Sequence, residues 1–159
     1  MPIKKSHPIQ VLLLQNEDHD FRHVLLEIVK PLQGPAFLWP EAKLWSQLDS
    51  GRTFLALSET KEVIAFVCCM DVGAAVELPV LATATAFQNL GVMETLLREI
   101  IATHYSAREI WLEVHEGNTA ARKLYKKLGF TESGQRSSYY TDKSAAILCT
   151  KLPLGNDNI

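Results

Sequence analysis

The sequence of 159 residues has no long apolar run, no surplus of one charge and little cysteine, and each shortage removes a class of protein. Its longest unbroken apolar stretch, Val63 to Met70, falls far short of the about 18 residues that a membrane-spanning helix needs. Lys4 and Lys5 lead only into the short run Val11 to Leu14, with no small-residue cleavage site after it. No secretory signal is expected, and the protein reads as cytoplasmic. With 16 basic against 18 acidic side chains the net charge is -2, so no global field draws nucleic acid or an anionic membrane. The three cysteines, Cys68, Cys69 and Cys149, include a vicinal pair inside an apolar run, which makes a poor disulfide framework and predicts reduced, buried thiols. His19 and His23 stand one helical turn apart but lack a further ligand nearby, so no metal is expected.

What is present is an apolar fraction of 47%, enough to bury the core of one domain, read as residues 9–153 between loose termini at 1–8 and 154–159. Ile9 to Leu14 suits a strand, and Glu17 to Val29 a helix with Phe21, Leu25, Ile28 and Val29 on one stripe, stopped by Pro31. Pro40 starts a second helix, Glu41 to Leu48. Arg52 to Ser58 and Glu62 to Met70 form a hairpin, and Val76 to Ala84 is a strand in which Pro79 forecasts a bulge or splay. Gly91 to Tyr105 is a helix with Met93, Leu96, Leu97, Ile100, Ile101 and His104 facing inward. Glu109 to His115 is a strand, Asn118 to Leu128 a helix capped by Asn118 and ended by Gly129, and strands over Gly134 to Tyr140 and Ala145 to Leu152 close the chain. The order predicts an α/β (α+β) fold with helices on both faces of one sheet.

Two segments carry chemistry. A strand ending near Thr83 runs through Phe87-Gln88-Asn89-Leu90-Gly91-Val92 into a helix, a turn that points several backbone N–H groups at one spot and suits a phosphate. The second runs from Trp111 to Phe130 and contains Leu112-Glu113-Val114, Asn118, Ala121, Leu124-Tyr125 and Leu128-Gly129-Phe130. These residues resemble the GNAT acetyl-CoA-dependent N-acetyltransferases, and among them the bacterial ribosomal-protein-alanine N-acetyltransferases. The pattern there is L-E-V followed by N-x-x-A-x-x-L-Y-x-x-L-G-F, matched here at every named position. Gln88 and Gly91 stand in place in a Q-x-x-G-x-G/A acetyl-CoA motif, and Arg136 with Tyr139-Tyr140 is similar to the same subgroup. The likeness is close over the C-terminal half and extends to element order in the N-terminal half.

The resemblance implies a GNAT-like, mostly antiparallel sheet with one splayed parallel strand pair, and acetyl-CoA lying in the splay. Backbone N–H groups of Leu81, Ala82 and Thr83 would meet the thioester, and the amides of Gln88, Asn89, Leu90, Gly91, Val92 and Met93 the pyrophosphate, with Asn118 assisting. It further implies Glu113 as general base and Tyr125 as the acid that protonates the leaving thiolate. The acceptor would be an amine, such as the N-terminus of a ribosomal protein, attacked directly by a monomeric or homodimeric enzyme without nucleic acid or membrane. An α-amine suits one ordinary carboxylate: its pKa is about 7.7 to 8.0 against about 10.4 for lysine, so neutralising lysine costs roughly 3 kcal/mol more.

Residue by residue, other readings stay open. Glu113 could be a carboxylate answered by a neighbouring Lys, and Tyr125 a packing residue. Glu77 could assist as a base or simply be exposed, as could His115 as a water relay. Tyr139 and Tyr140, adjacent on a strand, would face opposite ways, so at most one lines an acceptor groove. Arg122, Lys123, Lys126 and Lys127 form a basic helix face, the last two read as solvated. Met93 replaces a small residue of the phosphate motif, Asn89 a basic one, and His115 an Arg. Because Met93 shares a stripe with Leu97 and Ile100, its side chain is expected in the core, leaving its amide free. The alternatives are a small-molecule amine acetyltransferase, decided by Pro31 to Pro40 with Phe37 and Trp39, and a non-catalytic acyl-CoA-binding regulatory module.

Overall fold

A computed structural model describes residues 7–15 and 19–155. The expected loose ends at residues 1–6 and 156–159, the helix start at Glu17 and the side chain of His19 lie outside the described residues. The chain runs β1 (Gln10–Leu13), α1 (His19–Val29), α2 (Glu41–Ser50), β2 (Arg52–Leu57), β3 (Val63–Val72) and β4 (Ala75–Thr83). It continues through α3 (Val92–Ile100), β5 (Ile110–His115), α4 (Thr119–Lys127), β6 (Thr131–Arg136) and β7 (Ala146–Lys151). The strands form one sheet in the order β1-β2-β3-β4-β5-β7-β6, antiparallel at every junction except β4–β5. Among the described residues no helix is long and apolar enough to cross a membrane.

Alternation along the strands gives the sheet two apolar faces. On one, Leu25, Val29, Leu44 and Leu48 of α1 and α2 pack on Leu55, Phe66, Val80 and Ala82. On the other, Met93, Leu96, Leu97 and Ile100 of α3, with Tyr125 of α4 and Leu128 just past it, pack on Phe54, Val76, Leu78, Ile110, Leu112 and Val114. Cys68, Cys69 and Cys149 are free, buried thiols. Burial and the loss of a charged form in apolar surroundings push the first to about 11 and the second to about 12.

The even positions of β4 change layer: Val76 and Leu78 face α3 and α4, whereas Val80 and Ala82 face α1 and α2. The cause is a bulge. Cys68 pairs with Val80 and Met70 with Glu77, so Cys69 opposes two residues, Leu78 and Pro79. Proline has no N–H to lose from a ladder, which suits the unpaired position. Parallel pairing to β5 holds only at Val76 and Glu77, and beyond Pro79 the two strands part.

Two elements depart from the expected ones in a way that moves a named residue. α3 passes into a π-helical turn, Ile101–Tyr105, whose extra residue rotates the stripe, so Tyr105 is buried and His104 is exposed. The strand expected at Gly134 to Tyr140 lies earlier, because Phe130 at the helix exit already delivers the chain to the sheet at Thr131. Tyr139 and Tyr140 therefore sit on a turn.

Candidate active site

The parting of β4 and β5 opens a cavity of about 520 Å³ that reaches both faces of the sheet. Phe37, Trp39, Lys43 and Gln47 line it on the α1–α2 side, Asn118, Ala121 and Tyr125 on the α4 side, and Glu77, Leu81 and Glu113 between them.

On the open side of β4 the backbone is free to donate. Ala84 N–H bonds the Ile64 carbonyl of β3 at 2.8 Å, so by alternation the Ala82 amide also faces β3, while those of Leu81 and Thr83 face the splay. Thr83 confirms this direction, since its carbonyl accepts from Gln88 Nε2 at 3.2 Å. Of the three amides expected to meet a thioester, Ala82 is thus committed to the ladder.

The turn after β4 ends in two left-handed residues, Asn89 (φ 62°) and Gly91 (φ 79°), the latter capping α3. Asparagine tolerates this region and glycine enters it freely, and alternation with right-handed neighbours aims successive N–H groups one way. Gln88 N–H is taken by Thr85 O at 3.4 Å, but the amides from Asn89 through Met93 meet no backbone carbonyl among the described residues. Met93 itself is 9% exposed and packed in the α3 layer. Its bulk therefore points away from these amides, as the helical stripe predicts.

α4 is built from its ends. Asn118 Oδ1 accepts from Ala121 N–H at 3.2 Å, and Gly129 (φ 91°) closes the helix with Phe130 N–H on Tyr125 O at 2.9 Å and Gly129 N–H on Lys126 O at 3.1 Å. That frame fixes Tyr125, which is 5% exposed, 5.9 Å from the Phe130 ring, and lines the cavity. Its hydroxyl has no hydrogen-bond partner among the described residues. Burial, with Cys149 and Tyr140 nearby, pushes its phenol far above the ordinary value, so it keeps its proton at neutral pH.

From β5, Trp111, Glu113 and His115 face the α1–α2 side. The Glu113 side chain is 16% exposed, and its Oε1 forms an ion pair with Arg136 Nε at 3.0 Å, so its partner is an arginine from β6 rather than a lysine. Glu77 is half-buried and lines the cavity, not exposed. Desolvation and the Glu113 charge raise its carboxyl pKa, while Arg136 lowers it. His115 is likewise enclosed, its side chain 11% exposed. Tyr139 and Tyr140 both line the cavity, because a turn does not impose the alternation of a strand. Of the basic face of α4, Arg122 is held by Glu132 (2.7 and 2.9 Å) and the Glu116 carbonyl, and Lys127 by Glu94 at 2.9 Å. No group of three His, Cys, Asp or Glu that could hold a metal occurs among the described residues.

Sequence reading points to Phe37 and Trp39 of the acceptor-side loop but not to what holds them. Gln33 clamps it, its Nε2 donating to Trp39 O and its Oε1 accepting from Trp39 N–H, both at 2.8 Å, and Lys43 lies 4.2 Å over the Trp39 ring. No local pattern announces such a clamp.

Residues 20–130 match the Acetyltransferase (GNAT) family. The chain is 35% identical over 114 residues to the ribosomal protein bS18-alanine N-acetyltransferase of Haemophilus ducreyi, spanning 69% of this chain and 78% of that protein. It superposes on the crystal structure of the ribosomal-protein-S18-alanine N-acetyltransferase from Escherichia coli with a TM-score of 0.78 at 25% identity, over 96% of this chain and 99% of the other. A GNAT family acetyltransferase from Elizabethkingia anophelis, solved with acetyl-CoA bound, shares the fold at a TM-score of 0.75 and 20% identity, over 91% and 97% of the two chains.

Proposed function

The chain belongs to the acetyltransferase (GNAT) family and is an acetyltransferase; we propose that it moves acetyl from acetyl-CoA to the α-amine of a protein or peptide N-terminus by direct attack. The observation that carries this is the cavity through the splay, which exposes Glu113 from one face of the sheet and Tyr125 from the other to one space. The relative from Haemophilus ducreyi acts on an alanine of a ribosomal protein, and an N-terminal acceptor of that kind fits an open groove between the Phe37–Trp39 loop and the Tyr139–Tyr140 turn. A cytoplasmic location goes with this reading, since ribosomal proteins and acetyl-CoA meet there.

The free amides fit acetyl-CoA. Those of Asn89, Leu90, Gly91, Val92 and Met93, at the positive end of α3, would hold the pyrophosphate, and those of Leu81 and Thr83 the thioester carbonyl. When bound it supplies an acetyl group on a thiol leaving group. The residues of this chain then do the rest. Glu113, ion-paired with Arg136, takes the ammonium proton so that the nitrogen lone pair is free. Tyr125, protonated and without another partner, gives its proton to the departing sulfur. Asn118 keeps Tyr125 in place through the helix it caps. Of the two motives for a non-catalytic module, Met93 and Asn89, the first is weakened by the place of Met93 in the core, away from the amide path.

Two measurements test the proposal. Acetyl-CoA should raise the melting temperature by mass action, and Gly91→Val, which forces a β-branched residue to a positive φ at the helix cap, should abolish the rise. Thiol release should be seen with peptides bearing a free N-terminal alanine and not with Nα-blocked lysine peptides. Release with small amines alone would refute the peptide acceptor and favour the small-molecule alternative.

A further inference from the structure

The turn between β6 and β7 is bonded mostly to itself. Ser144 O accepts from both Tyr139 N–H (3.0 Å) and Tyr140 N–H (3.1 Å), Lys143 N–H donates to Tyr140 O at 3.0 Å, and Ser144 N–H donates to Asp142 Oδ1 at 2.9 Å. Ser138 and Lys143 hold positive φ, at 51° and 68°, a conformation that isolated residues of these types disfavour. Something outside the turn must therefore keep it in one place. At its base Glu116 exchanges bonds with Ala145, N–H to O at 2.9 Å and Oε1 to N–H at 2.9 Å. Closer to the tyrosines two side chains reach it: Arg136 of β6, whose guanidinium carbon lies 5.7 Å from the Tyr139 ring centre, and His115 of β5, which reaches it by a hydrogen bond and a ring contact.

His115 is tied at both ring nitrogens. Gly117 N–H donates to Nδ1 at 2.9 Å, so the ring proton resides on Nε2, which donates to Asp142 Oδ2 at 2.9 Å. The close return of the chain favours glycine, since a Cβ at Gly117 would stand 3.2 Å from Cε1 and Nδ1 of the ring, a tight contact that the imidazole would have to relieve. The imidazole also packs on Tyr140 at 4.8 Å between ring centres, and Tyr140 in turn meets Tyr139 edge-on at 5.2 Å. The histidine thus joins the strand that carries Glu113 to the turn that carries both cavity tyrosines.

We propose that His115 and Asp142 form a latch that positions the Tyr139–Tyr140 turn as the acceptor-side wall of the cavity. His115 is a positioning residue: it takes no part in proton transfer and acts through Tyr140 and Asp142. This rests on the acceptor reading above, but the latch itself can be tested without an acceptor. In His115→Ala, in Asp142→Asn, whose amide oxygen can still accept from Ser144 N–H while its NH2 cannot accept from His115, and in the double variant, amide hydrogen exchange over residues 139–144 should rise, and the double variant should rise no further than either single one. With a synthetic peptide bearing a free N-terminal alanine, acceptor KM should rise about tenfold, the scale of losing one charge-assisted hydrogen bond. Turnover at saturation and acetyl-CoA affinity should stay unchanged.

Additive exchange in the double variant, an unchanged KM, or a parallel fall in acetyl-CoA affinity would overturn the latch, the last because it marks a general loss of structure. Should His115→Ala fail to fold, Asp142→Asn alone decides, because it leaves the core and the Ser144 bond intact and removes only the acceptor for His115. A wild-type protein that acetylates no peptide refutes the acceptor reading. The exchange cycle then judges the latch by itself, coupled exchange supporting it and additive exchange overturning it.

Discussion

On the side of the sheet that carries α3 and α4 the groups proposed for the cofactor are mainly backbone: amides on the opened edge of β4 and at the start of α3, with Asn118 and Tyr125 lining the cavity from a capped helix. On the side of α1 and α2 it presents side chains from two turns, Phe37, Trp39 and Lys43 from one element pair and Tyr139 and Tyr140 from another. The first wall depends on backbone geometry and tolerates a change of side chain, provided the amides stay clear, as Met93 illustrates by turning inward. The second wall depends on which side chains are there and on the few bonds that hold the turns. Cofactor binding and acceptor choice should therefore respond to different substitutions.

The largest effect is expected where the walls meet. Glu113→Gln keeps the shape and an acceptor for Arg136 but cannot take a proton, so turnover should fall by about 10² to 10⁴ while acetyl-CoA affinity, read by calorimetry, stays as it is. Normal turnover would move proton removal to Glu77 or to water. Next comes Met93→Gly, which empties a core position and weakens a helix. It should cost on the order of 2–5 kcal/mol for the lost side chain and about 1 more for the glycine, seen in denaturant unfolding. Acetyl-CoA affinity should not change, and a tenfold gain would show that the side chain obstructs the phosphate path after all.

How much of this was legible in the sequence follows the same division. The stripe that puts Met93 inward, the Asn118 cap, the Gly129 exit and the Pro79 irregularity are local patterns, readable within a turn or two of helix or a few strand residues. What Pro79 does is not local: the two-for-one pairing with Cys69 rotates half a strand into the other layer. A strict period of 3.6 misplaces His104, because one π-helical turn breaks it and no residue type signals the turn. Strand alternation misplaces Tyr139 and Tyr140, because the strand ends before them and a turn does not alternate. The ion pair of Arg136 with Glu113 and the hydrogen bond from His115 to Asp142 reach across β7 and its turn, and only the folded register brings these residues together.

A smaller effect should isolate the second wall. Tyr139 is 52% exposed, so Tyr139→Ala should move unfolding free energy by no more than about 0.5 kcal/mol. Losing an aromatic face from the groove should nonetheless raise peptide KM by roughly tenfold, the scale of one aromatic contact, with acetyl-CoA affinity intact. Equal losses in both affinities would erase the distinction between the walls.

The smallest effect concerns Glu77, which lies beside Glu113 where the walls join. Desolvation and the neighbouring carboxylate raise its pKa in the folded state. A raised folded pKa means that folding favours the protonated carboxyl. Its contribution is full below the ordinary glutamate value of about 4.3 and is lost as pH rises through the higher folded value. Above that window an ionised Glu77 opposes folding, an effect that solvent at this half-open site keeps small. Glu77→Gln cannot ionise, so its melting temperature should exceed that of the wild type at neutral pH, and the gap should close as the solution is acidified through that window. Parallel melting curves across the range would mean that Glu77 meets water as freely in the folded chain as in the unfolded one. Turnover in the same variant then separates two roles for the carboxylate: if Glu113 alone removes the proton it stays near wild type, and if Glu77 relays the proton onward it falls along with the loss of the titration.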